Sequence, residues 1–395
     1  MDTVRLKASW ARVGAHGDRV AQYFYSLLFV ARPELRTMFP VSMASQRDRL
    51  VGALGRVLSH VDDVGPVVPF VQGLGRDHRK FGVQPEHFPM VGQALLETLA
   101  YFEGDAWTPE LAADWTAAYQ LVAGVMVESA AESAASMPAW WEAEVVSHER
   151  RGLDVAVLHL RPGSTYRYRP GQSCSVETPY LPTLWRYFSP ANAPRSDGLI
   201  ELHVKAVPGG QVSPALVHRG RPGDVLRLGA PVGERLTLEP TSERELLMLA
   251  GGTGLAPLKA LIEQLALDGR YRRRVTLLFG ARTGRDLYDL PALEELARRL
   301  PWLTVVPVLS HDPWHPAEQG VVVEAALQHD GWAEHDVYVC GSAPMVAGTR
   351  EQLLQAGVPA ARIRSEDYTA DPYRPDSDQP DESLDVVTMA VSEVN

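Results

Sequence analysis

A change in sequence pattern near residue 137 is the feature that most constrains the fold. Before it, apolar side chains recur every three or four residues, which is typical of amphipathic helices. After it, short runs rich in β-branched residues alternate with Gly- and Pro-rich turns, which predicts strands. A chain of 395 residues is long enough for two or three domains, each with its own core. We therefore expect a multidomain protein whose first domain, residues 1–137, is all-α.

Prolines and capping residues mark the helices of this first part. Thr108, Pro109 and Glu110 form a helix start with an N-cap, a first-turn proline and a first-turn acid. The Pro85-Glu86 pair predicts a second start. Apolar spacing predicts further helices over residues 18–30, 46–60 and 69–81.

Two different kinds of β structure are expected after residue 137. Short strands separated by turns, without helices between them, predict a small antiparallel β-barrel over residues 138–240. Its strands are expected at 144–148, 155–160, 173–177, 199–206 and 225–228. Residues 241–370 alternate strands with helices and predict a parallel α/β sheet. Its strands are expected at 246–250, 275–280, 304–309 and 337–340. Residues 371–395 hold seven acids and three prolines, and we expect an acidic, disordered tail.

Charge and cysteine content exclude several classes of function. The net charge of −11 argues against binding to nucleic acid or to anionic membranes. Two cysteines are too few for a four-cysteine zinc site or a disulfide framework. The first residues lack the apolar segment of a signal peptide, and no apolar run reaches the length of a membrane span. We expect a cytoplasmic protein without stable membrane insertion and without an obligate protein partner.

A glycine-rich loop is the first candidate binding motif. Gly251, Gly252, Thr253, Gly254 and Pro257 lie between an apolar strand and a helix. Glycines let backbone amides approach a pyrophosphate, and the helix N-terminus supplies positive potential. The alternative interpretation is a tight strand–helix turn that binds nothing.

Further candidates fall among the barrel strands. In the run Arg186-Tyr187-Phe188-Ser189, the guanidinium suits a diphosphate, the aromatic rings a flavin ring and the hydroxyl a flavin nitrogen or oxygen. An ordinary aromatic strand followed by a glycine turn is the alternative. The other candidates are His203 and Lys205 on a strand, and a backbone nest for phosphate at Gly210, Gln211, Val212 and Ser213.

The order of these motifs resembles the ferredoxin-reductase-like flavin and nicotinamide module over residues 140–368. A late Cys340-Gly341 pair, followed by Pro344 and Met345, continues the resemblance. It implies FAD and either NADH or NADPH as cofactors, with Cys340 near the nicotinamide and Tyr368 covering the flavin. Without the resemblance, Cys340 is read as a small buried residue.

The helical part resembles a bacterial globin, and the whole chain is similar to a flavohaemoglobin. A single histidine such as His78 is by itself more often a surface or core residue, but its neighbours match at family spacings. Those neighbours are Tyr23-Phe24-Tyr25, Arg32-Pro33-Glu34-Leu35, Phe39, Gln46, Lys80-Phe81, Pro85-Glu86, Trp115 and Tyr119. The resemblance implies haem b with His78 as the iron ligand.

The resemblance also implies roles around the haem. Phe39 is expected against the haem face, Leu50 crowding the distal pocket, and Tyr25 and Gln46 as hydrogen-bond donors to O2. Two positions depart from the family: Phe88 stands where a tyrosine is usual, and Ala130 where a glutamate is usual, although Glu132 is close in sequence.

The implied activity is a nitric oxide dioxygenase with O2 and nitric oxide as substrates and electrons from NAD(P)H. Arg282 could meet a 2′-phosphate, but no second basic residue clearly follows, which favours NADH. The two departures keep open a flavohaem oxidoreductase that acts on peroxide or an organic electron donor. A gas-binding or redox-sensing globin is a third possibility, although the nicotinamide motifs argue against it.

Overall fold

The computed structural model describes residues 1–63, 65, 67–269, 273–329 and 331–367. The chain divides into two compact units, and the boundary along the sequence lies between Ala139 and Trp140. The expected acidic tail, 371–395, and the candidate Tyr368 lie outside the described residues. In the part of the chain described, no helix is both long enough and apolar enough to cross a bilayer.

The first unit is helical. Its α-helices are α1 Thr3–Gly14, α2 Asp18–Ala31, α3 Ala44–Ser59, α4 Val68–His78, α5 His87–Glu103 and α6 Pro109–Ala134. The Thr108 hydroxyl accepts a hydrogen bond from the Leu111 amide, so α6 begins at the predicted cap. The predicted helix over 69–81 is α4 continued by a 3-10 turn, Arg79–Phe81. Gly82 ends that turn in the left-handed conformation that favours glycine.

Two glycines set how closely the helices of this unit pack. A Cβ on Gly75 of α4 would lie 2.4 Å from the Met126 carbonyl oxygen of α6. A Cβ on Gly92 of α5 would lie 2.5 Å from the ring of Tyr119. Real Cβ contacts are longer, so α4 and α5 reach α6 only because these side chains are absent. The tight α4–α6 contact fixes the end of α4, where His78 lies.

The second unit begins with an antiparallel sheet. Its strands are β1 Trp141–Arg150, β2 Val155–Pro162, β3 Ser173–Glu177, β4 Arg186–Phe188, β5 Ile200–Lys205 and β6 Val225–Val232, in the order β4-β3-β6-β1-β2-β5. A bridge between Pro190 and Leu202 joins the two edges, so the sheet closes as the predicted barrel does. A short helix, α7 Val212–His218, follows β5 and was not predicted.

A six-stranded parallel sheet completes the unit. Its strands are β7 Leu246–Gly251, β8 Val275–Ala281, β9 Leu303–Leu309, β10 Glu318–Gln319, β11 Asp336–Gly341 and β12 Ile363–Asp367, in the order β10-β9-β8-β7-β11-β12. The helices are α8 Leu255–Asp268, α9 Leu290–Arg299, α10 Val322–Leu327 and α11 Ala343–Gln355. Strands β7 and β11 are buried almost throughout, as central parallel strands are. Sequence analysis missed β10, β12, α10 and α11.

The barrel and the parallel sheet share apolar packing. Val155 and Val157 of β2 belong to the same buried cluster as Leu258 and Leu261 of α8. Because these side chains pack in one buried cluster, the position of α8 relative to the barrel is fixed.

Candidate functional site

His78 lies in the last turn of α4 and has one ring nitrogen fixed by the backbone. Its Nδ1 lies 2.7 Å from the Leu74 carbonyl oxygen, which can only accept, so Nδ1 carries the proton. Nε2 then keeps its lone pair, which is the form of imidazole that ligates metals. Burial lowers the pKa of His78 and favours this neutral form.

Tyr25, Phe39 and Leu50 belong to one apolar cluster, and Gln46 contacts Tyr25. Gln46 Nε2 donates a hydrogen bond to Tyr25 Oη at 3.3 Å, and the Phe39 ring meets the Tyr25 ring edge-on at 5.5 Å. Tyr25 is 6% exposed, and both Phe39 and Leu50 pack on the same apolar cluster. Burial raises the pKa of Tyr25 to about 12, so its hydroxyl stays protonated at neutral pH.

Phe88 opens α5 with a partly buried ring, and its carbonyl oxygen accepts a hydrogen bond from the Tyr119 hydroxyl at 2.5 Å. Ala130 on α6 is partly buried, whereas Glu132 is exposed. The charge of Asp77, the preceding residue, partly offsets the effect of burial on the pKa of His78. The hydrogen-bond partner that the structure gives to the ring is the Leu74 carbonyl.

The run Arg186 to Ser189 forms β4 and the turn after it, on the barrel edge paired with β3. Tyr187 lies opposite Ser175, and Phe188 lies opposite Cys174. All four candidate side chains are partly exposed, so they are accessible to a ligand. Arg186 also donates to the Trp185 carbonyl oxygen at 2.8 Å, which orients its guanidinium.

The other barrel candidates divide into two groups. Gly210, Gln211, Val212 and Ser213 form the turn into α7, where the Ser213 hydroxyl accepts the Val207 amide at 3.2 Å. Lys205 is exposed and pairs with Asp154 at 3.5 Å. His203 is buried, and both of its ring nitrogens lie 2.7 Å from protein oxygens, Tyr288 Oη and Glu201 Oε1. His203 therefore has its polar atoms engaged inside the protein.

Two motifs that are far apart in sequence meet at one edge of the parallel sheet. Gly251 ends β7, and Gly254 is the N-cap residue of α8. A Cβ on Gly254 would lie 2.2 Å from the Cys340 carbonyl oxygen at the end of β11. A Cβ on Gly251 or Gly341 would lie 2.9 Å or 2.3 Å from the Met345 sulfur, so the Met345 side chain would have to shift. The candidates Gly252, Thr253 and Pro257 complete this loop and the first turn of α8.

The strand order explains why the loop and Cys340 meet there. From β7 the chain builds outward through β8 and β9, then returns to add β11 on the other side of β7. In open α/β sheets, ligands bind outside the carboxyl ends of the strands where the order reverses. Burial raises the pKa of Cys340 well above its ordinary value, so its side chain is a neutral thiol.

Some residues at this edge were missed because sequence analysis did not predict their strand. Glu366 pairs with Cys340, and Asp367 with Gly341, in the register of β12 and β11. Burial, with Asp367 adding to it and Arg235 opposing it, raises the pKa of Glu366 to about 7. A late apolar-acidic run after α11 was the available signal.

A buried charge cluster was missed as well. Glu201 of β5 accepts hydrogen bonds from Lys259 of α8 at 2.5 Å and from His203 at 2.7 Å. Burial opposes ionisation of Glu201, but hydrogen bonds from His159 and His203 and the charge of Lys259 hold its pKa well below the ordinary range. The cluster joins the barrel to the helix that follows the glycine loop.

Known families match successive parts of the chain. The globin family matches residues 22–126, the oxidoreductase FAD-binding domain residues 141–236, and the oxidoreductase NAD-binding domain residues 248–351. The flavohemoprotein of Bordetella parapertussis is 28% identical over 387 residues, 91% of this chain and 96% of the relative. That of Bacillus subtilis is 25% identical, covering 89% of this chain and 92% of its own length. In the order of its domains, the chain is similar to the flavohemoproteins.

Solved structures agree with the fold of a flavohaemoglobin. The crystal structure of a Malassezia yamatoensis flavohemoglobin with bound FAD and heme matches with a TM-score of 0.75 and 21% identity, covering 93% of this chain and 98% of that one. A ferredoxin reductase in carbazole 1,9a-dioxygenase matches with a TM-score of 0.53 and 29% identity, covering 59% of this chain and 70% of that one. The predicted order of globin, antiparallel FAD domain and parallel NAD domain is confirmed.

Proposed function

We propose that this chain is a flavohaemoglobin and acts as an NAD(P)H-dependent nitric oxide dioxygenase. Its domains are taken as globin 1–137, FAD-binding 138–240 and NAD-binding 241–370. Each NAD(P)H supplies two electrons, and two molecules of nitric oxide with two of O2 give two nitrates and one proton. When bound, FAD divides a hydride into single electrons, and haem supplies the redox centre at which O2 and nitric oxide react.

His78 fits the role of haem ligand. Its Nδ1 donates to the Leu74 carbonyl, which orients the ring and leaves the Nε2 lone pair for iron. The low pKa of the buried ring keeps Nε2 unprotonated at neutral pH. Haem iron requires a ligand atom with a free lone pair. In the helical unit, Nε2 of His78 on α4 has one.

The Tyr25–Gln46 hydrogen bond is the observation that carries the proposed reaction. Because Gln46 donates to the Tyr25 oxygen, the hydroxyl proton of Tyr25 remains available for a second acceptor. Its raised pKa keeps that proton in place at neutral pH. A protonated phenol in an apolar pocket with Phe39 and Leu50 stabilises negative charge on O2 more than a solvated donor does.

The reductase candidates suit hydride transfer from a dinucleotide. The Gly251–Gly254 loop, at the N-terminus of α8 and beside Cys340, can take the pyrophosphate on backbone amides. Arg186 suits the FAD diphosphate, and Tyr187 and Ser189 suit the flavin ring. Gly210 to Ser213 supply further amides at the turn into α7. Burial of Cys340 keeps its thiol neutral, so it can line the nicotinamide pocket without adding charge.

A second function is favoured by the surroundings of His78. A histidine bonded to a carbonyl donates less electron density to iron than one bonded to a carboxylate. Phe88 and Ala130 remove the family's usual phenol and carboxylate from these positions. The alternative is a flavohaem oxidoreductase that takes electrons from NAD(P)H but acts on another substrate, such as a peroxide.

One experiment separates these functions. The haem- and FAD-replete protein is given NADH in air, and NADH oxidation is followed before and after nitric oxide is added. The proposal expects a burst of NADH oxidation, with one NADH consumed for every two nitric oxide molecules and nitrate as product. NADH oxidation that ignores nitric oxide but accelerates with peroxide would establish the alternative. Tyr25→Phe is the matched variant, because it keeps the ring and removes only the hydroxyl; it should slow the nitric oxide reaction.

A further inference from the structure

The buried cluster around Glu201 joins three segments of the second unit. Glu201 and His203 lie on the same face of β5, Lys259 and Glu263 lie one turn apart on α8, and Asp289 is the N-cap residue of α9. Except for Glu263, these side chains are less than a tenth exposed. Such a concentration of buried charge is costly unless each group is paired.

The cluster is an ion-pair network. Glu201, His203 and Asp289 offer ligand atoms close enough together for a metal ion. The Lys259 ammonium, however, already lies 2.5 Å from Glu201 Oε1 and 3.7 Å from Glu263 Oε1. The cation that balances Glu201 and Glu263 is therefore part of the protein.

The main chain of Glu201 holds the segment that follows the candidate flavin strand. Its carbonyl oxygen accepts the Ala191 amide at 2.7 Å, and its amide donates to Asn192 Oδ1 at 2.7 Å. Ala191 is two residues beyond Ser189, and the bridge from Pro190 to Leu202 lies between them. The position of Ser189 is thus tied to the backbone of Glu201.

The side chain of Glu201 holds the helix that follows the candidate dinucleotide loop. Lys259 lies in the second turn of α8, five residues after Gly254. A second pair reinforces this link: Arg195 Nη2 lies 2.8 Å from Glu263 Oε1, and the Ala193 amide donates to Glu263 Oε2 at 3.2 Å. The barrel segment 191–201 therefore contacts α8 through two carboxylates, Glu201 of the barrel and Glu263 of the helix.

We propose that Glu201 and Lys259 are positioning residues, which set the distance and angle between the nicotinamide and the flavin. The inference rests on the proposed transfer of hydride from NAD(P)H to FAD. Among the described residues, Glu201 combines a backbone that fixes the flavin-side segment with a carboxylate that fixes α8. The glycine loop and Cys340 are both part of the parallel-sheet region. Loss of the link to the barrel therefore preserves the contacts that bind NADH but changes the position of the nicotinamide relative to the flavin. A misplacement near 1 Å is enough to slow such a transfer severely.

The test is anaerobic stopped-flow reduction of the FAD in the full-length holoprotein by NADH. Glu201→Gln keeps the shape and removes the charge. The limiting rate of flavin reduction should fall by roughly tenfold to a hundredfold, whereas the apparent dissociation constant of NADH stays near wild type. With NADH deuterated at the transferred hydrogen, the isotope effect should rise, because hydride transfer becomes fully limiting. A residue that only stabilises the fold does not produce this split between rate and binding.

A double variant guards against loss of folding. Glu201→Gln leaves the buried Lys259 ammonium with the more distant Glu263 carboxylate, 3.7 Å away, whereas Glu201→Gln with Lys259→Met removes both charges. The double variant should regain FAD content and thermal stability but keep the slow reduction. Reduction at the wild-type rate in both variants would overturn the inference.

Asp336→Asn is the matched control. Asp336 is a buried carboxylate at the start of β11, which is the opposite end of the sheet from Cys340 and Gly341, and it accepts from Ser242. Its replacement should leave the reduction rate unchanged, and a loss as large as that of Glu201→Gln would also overturn the inference. Failure of NADH to reduce wild-type FAD would instead overturn the proposed function itself.

Discussion

Replacing Gly75 by alanine tests how the helical unit holds His78. The new Cβ would lie 2.3 Å from Ser129 Oγ, 2.4 Å from the Met126 carbonyl oxygen and 2.7 Å from Met126 Cα. Two of these atoms belong to the α6 backbone and no side-chain rotation can move them away. Because ordinary contacts lie at about 3.5–4.0 Å, α4 and α6 must separate by about 1 Å.

The size of the effect follows from opposing contributions. Overpacking of this kind costs about 1–3 kcal/mol, and separation of the helices weakens the Ser129 hydrogen bond to the Gln72 carbonyl, 3.0 Å long and worth about 1 kcal/mol. The helix gains about 0.5–1 kcal/mol from losing a glycine. The net loss in free energy of unfolding is about 2 kcal/mol, or roughly 8 °C in the melting temperature of the helical unit.

Gly124→Ala is the control for Gly75→Ala. Gly124 lies in α6, is exposed, and has no atom within 4 Å of its ideal Cβ, so the same change there should stabilise by about 0.5–1 kcal/mol. Thermal unfolding of the full-length chain is followed by the Soret band for the helical unit and by flavin fluorescence for the second unit. Equal or greater stability of Gly75→Ala would refute the close-packing argument, as would a loss for Gly124→Ala.

Further predictions concern the haem side and the Glu201 network. His78→Ala should abolish the Soret band yet leave NADH-to-dye electron transfer intact, and a retained Soret band would exclude His78 as the ligand. Tyr25→Phe should speed O2 release from the ferrous protein by roughly tenfold or more, because a hydrogen bond to a charged acceptor is worth about 1.5–3 kcal/mol; stopped-flow O2 dissociation measures it, and an unchanged rate contradicts the donor role. The pKa of Glu201 is lowered by folding, so its stabilisation is complete above its ordinary pKa and is lost as pH falls below it. The second unit of wild type should therefore lose more stability between neutral and acid pH than Glu201→Gln does, in melts followed by flavin fluorescence; parallel curves would contradict this.

The fold was readable from sequence where local chemistry sets it. Thr108 and Pro109 start α6 through contacts within one turn, so the sequence carries the whole signal. Strand β7, followed by glycines and a helix, is equally local. Strand β12 was missed because its pairing partner, β11, lies more than twenty residues away along the chain and because its charged residues are, in sequence, typical of a loop.

The candidate site was only partly readable for the same reason. Tyr25 and Gln46 could be placed together through a family resemblance, and the structure brings them to 3.3 Å. Glu201 and Lys259 are 58 residues apart, and each alone has the sequence character of a surface charge. His203 stays a predicted cofactor contact, because a polar residue near a binding motif suggests one. Its hydrogen bond to Tyr288, in the turn before α9 and 85 residues away along the chain, could not be read from the local pattern.

The meeting of Gly254 with the Cys340 carbonyl has a consequence for how this site can change. The constraint there falls on the main chain: Gly254 has no room for any side chain, and the atoms that crowd it are the Cys340 carbonyl group and the Gly341 amide nitrogen, not the thiol. Replacement of Cys340 by another small residue would therefore change the lining of the proposed nicotinamide pocket without disturbing this contact. Substitution of Gly254 would instead force β11 and α8 apart, so the structure does not tolerate a side chain at this position. Variation at the proposed dinucleotide site is thus confined to side chains around a main chain that cannot change.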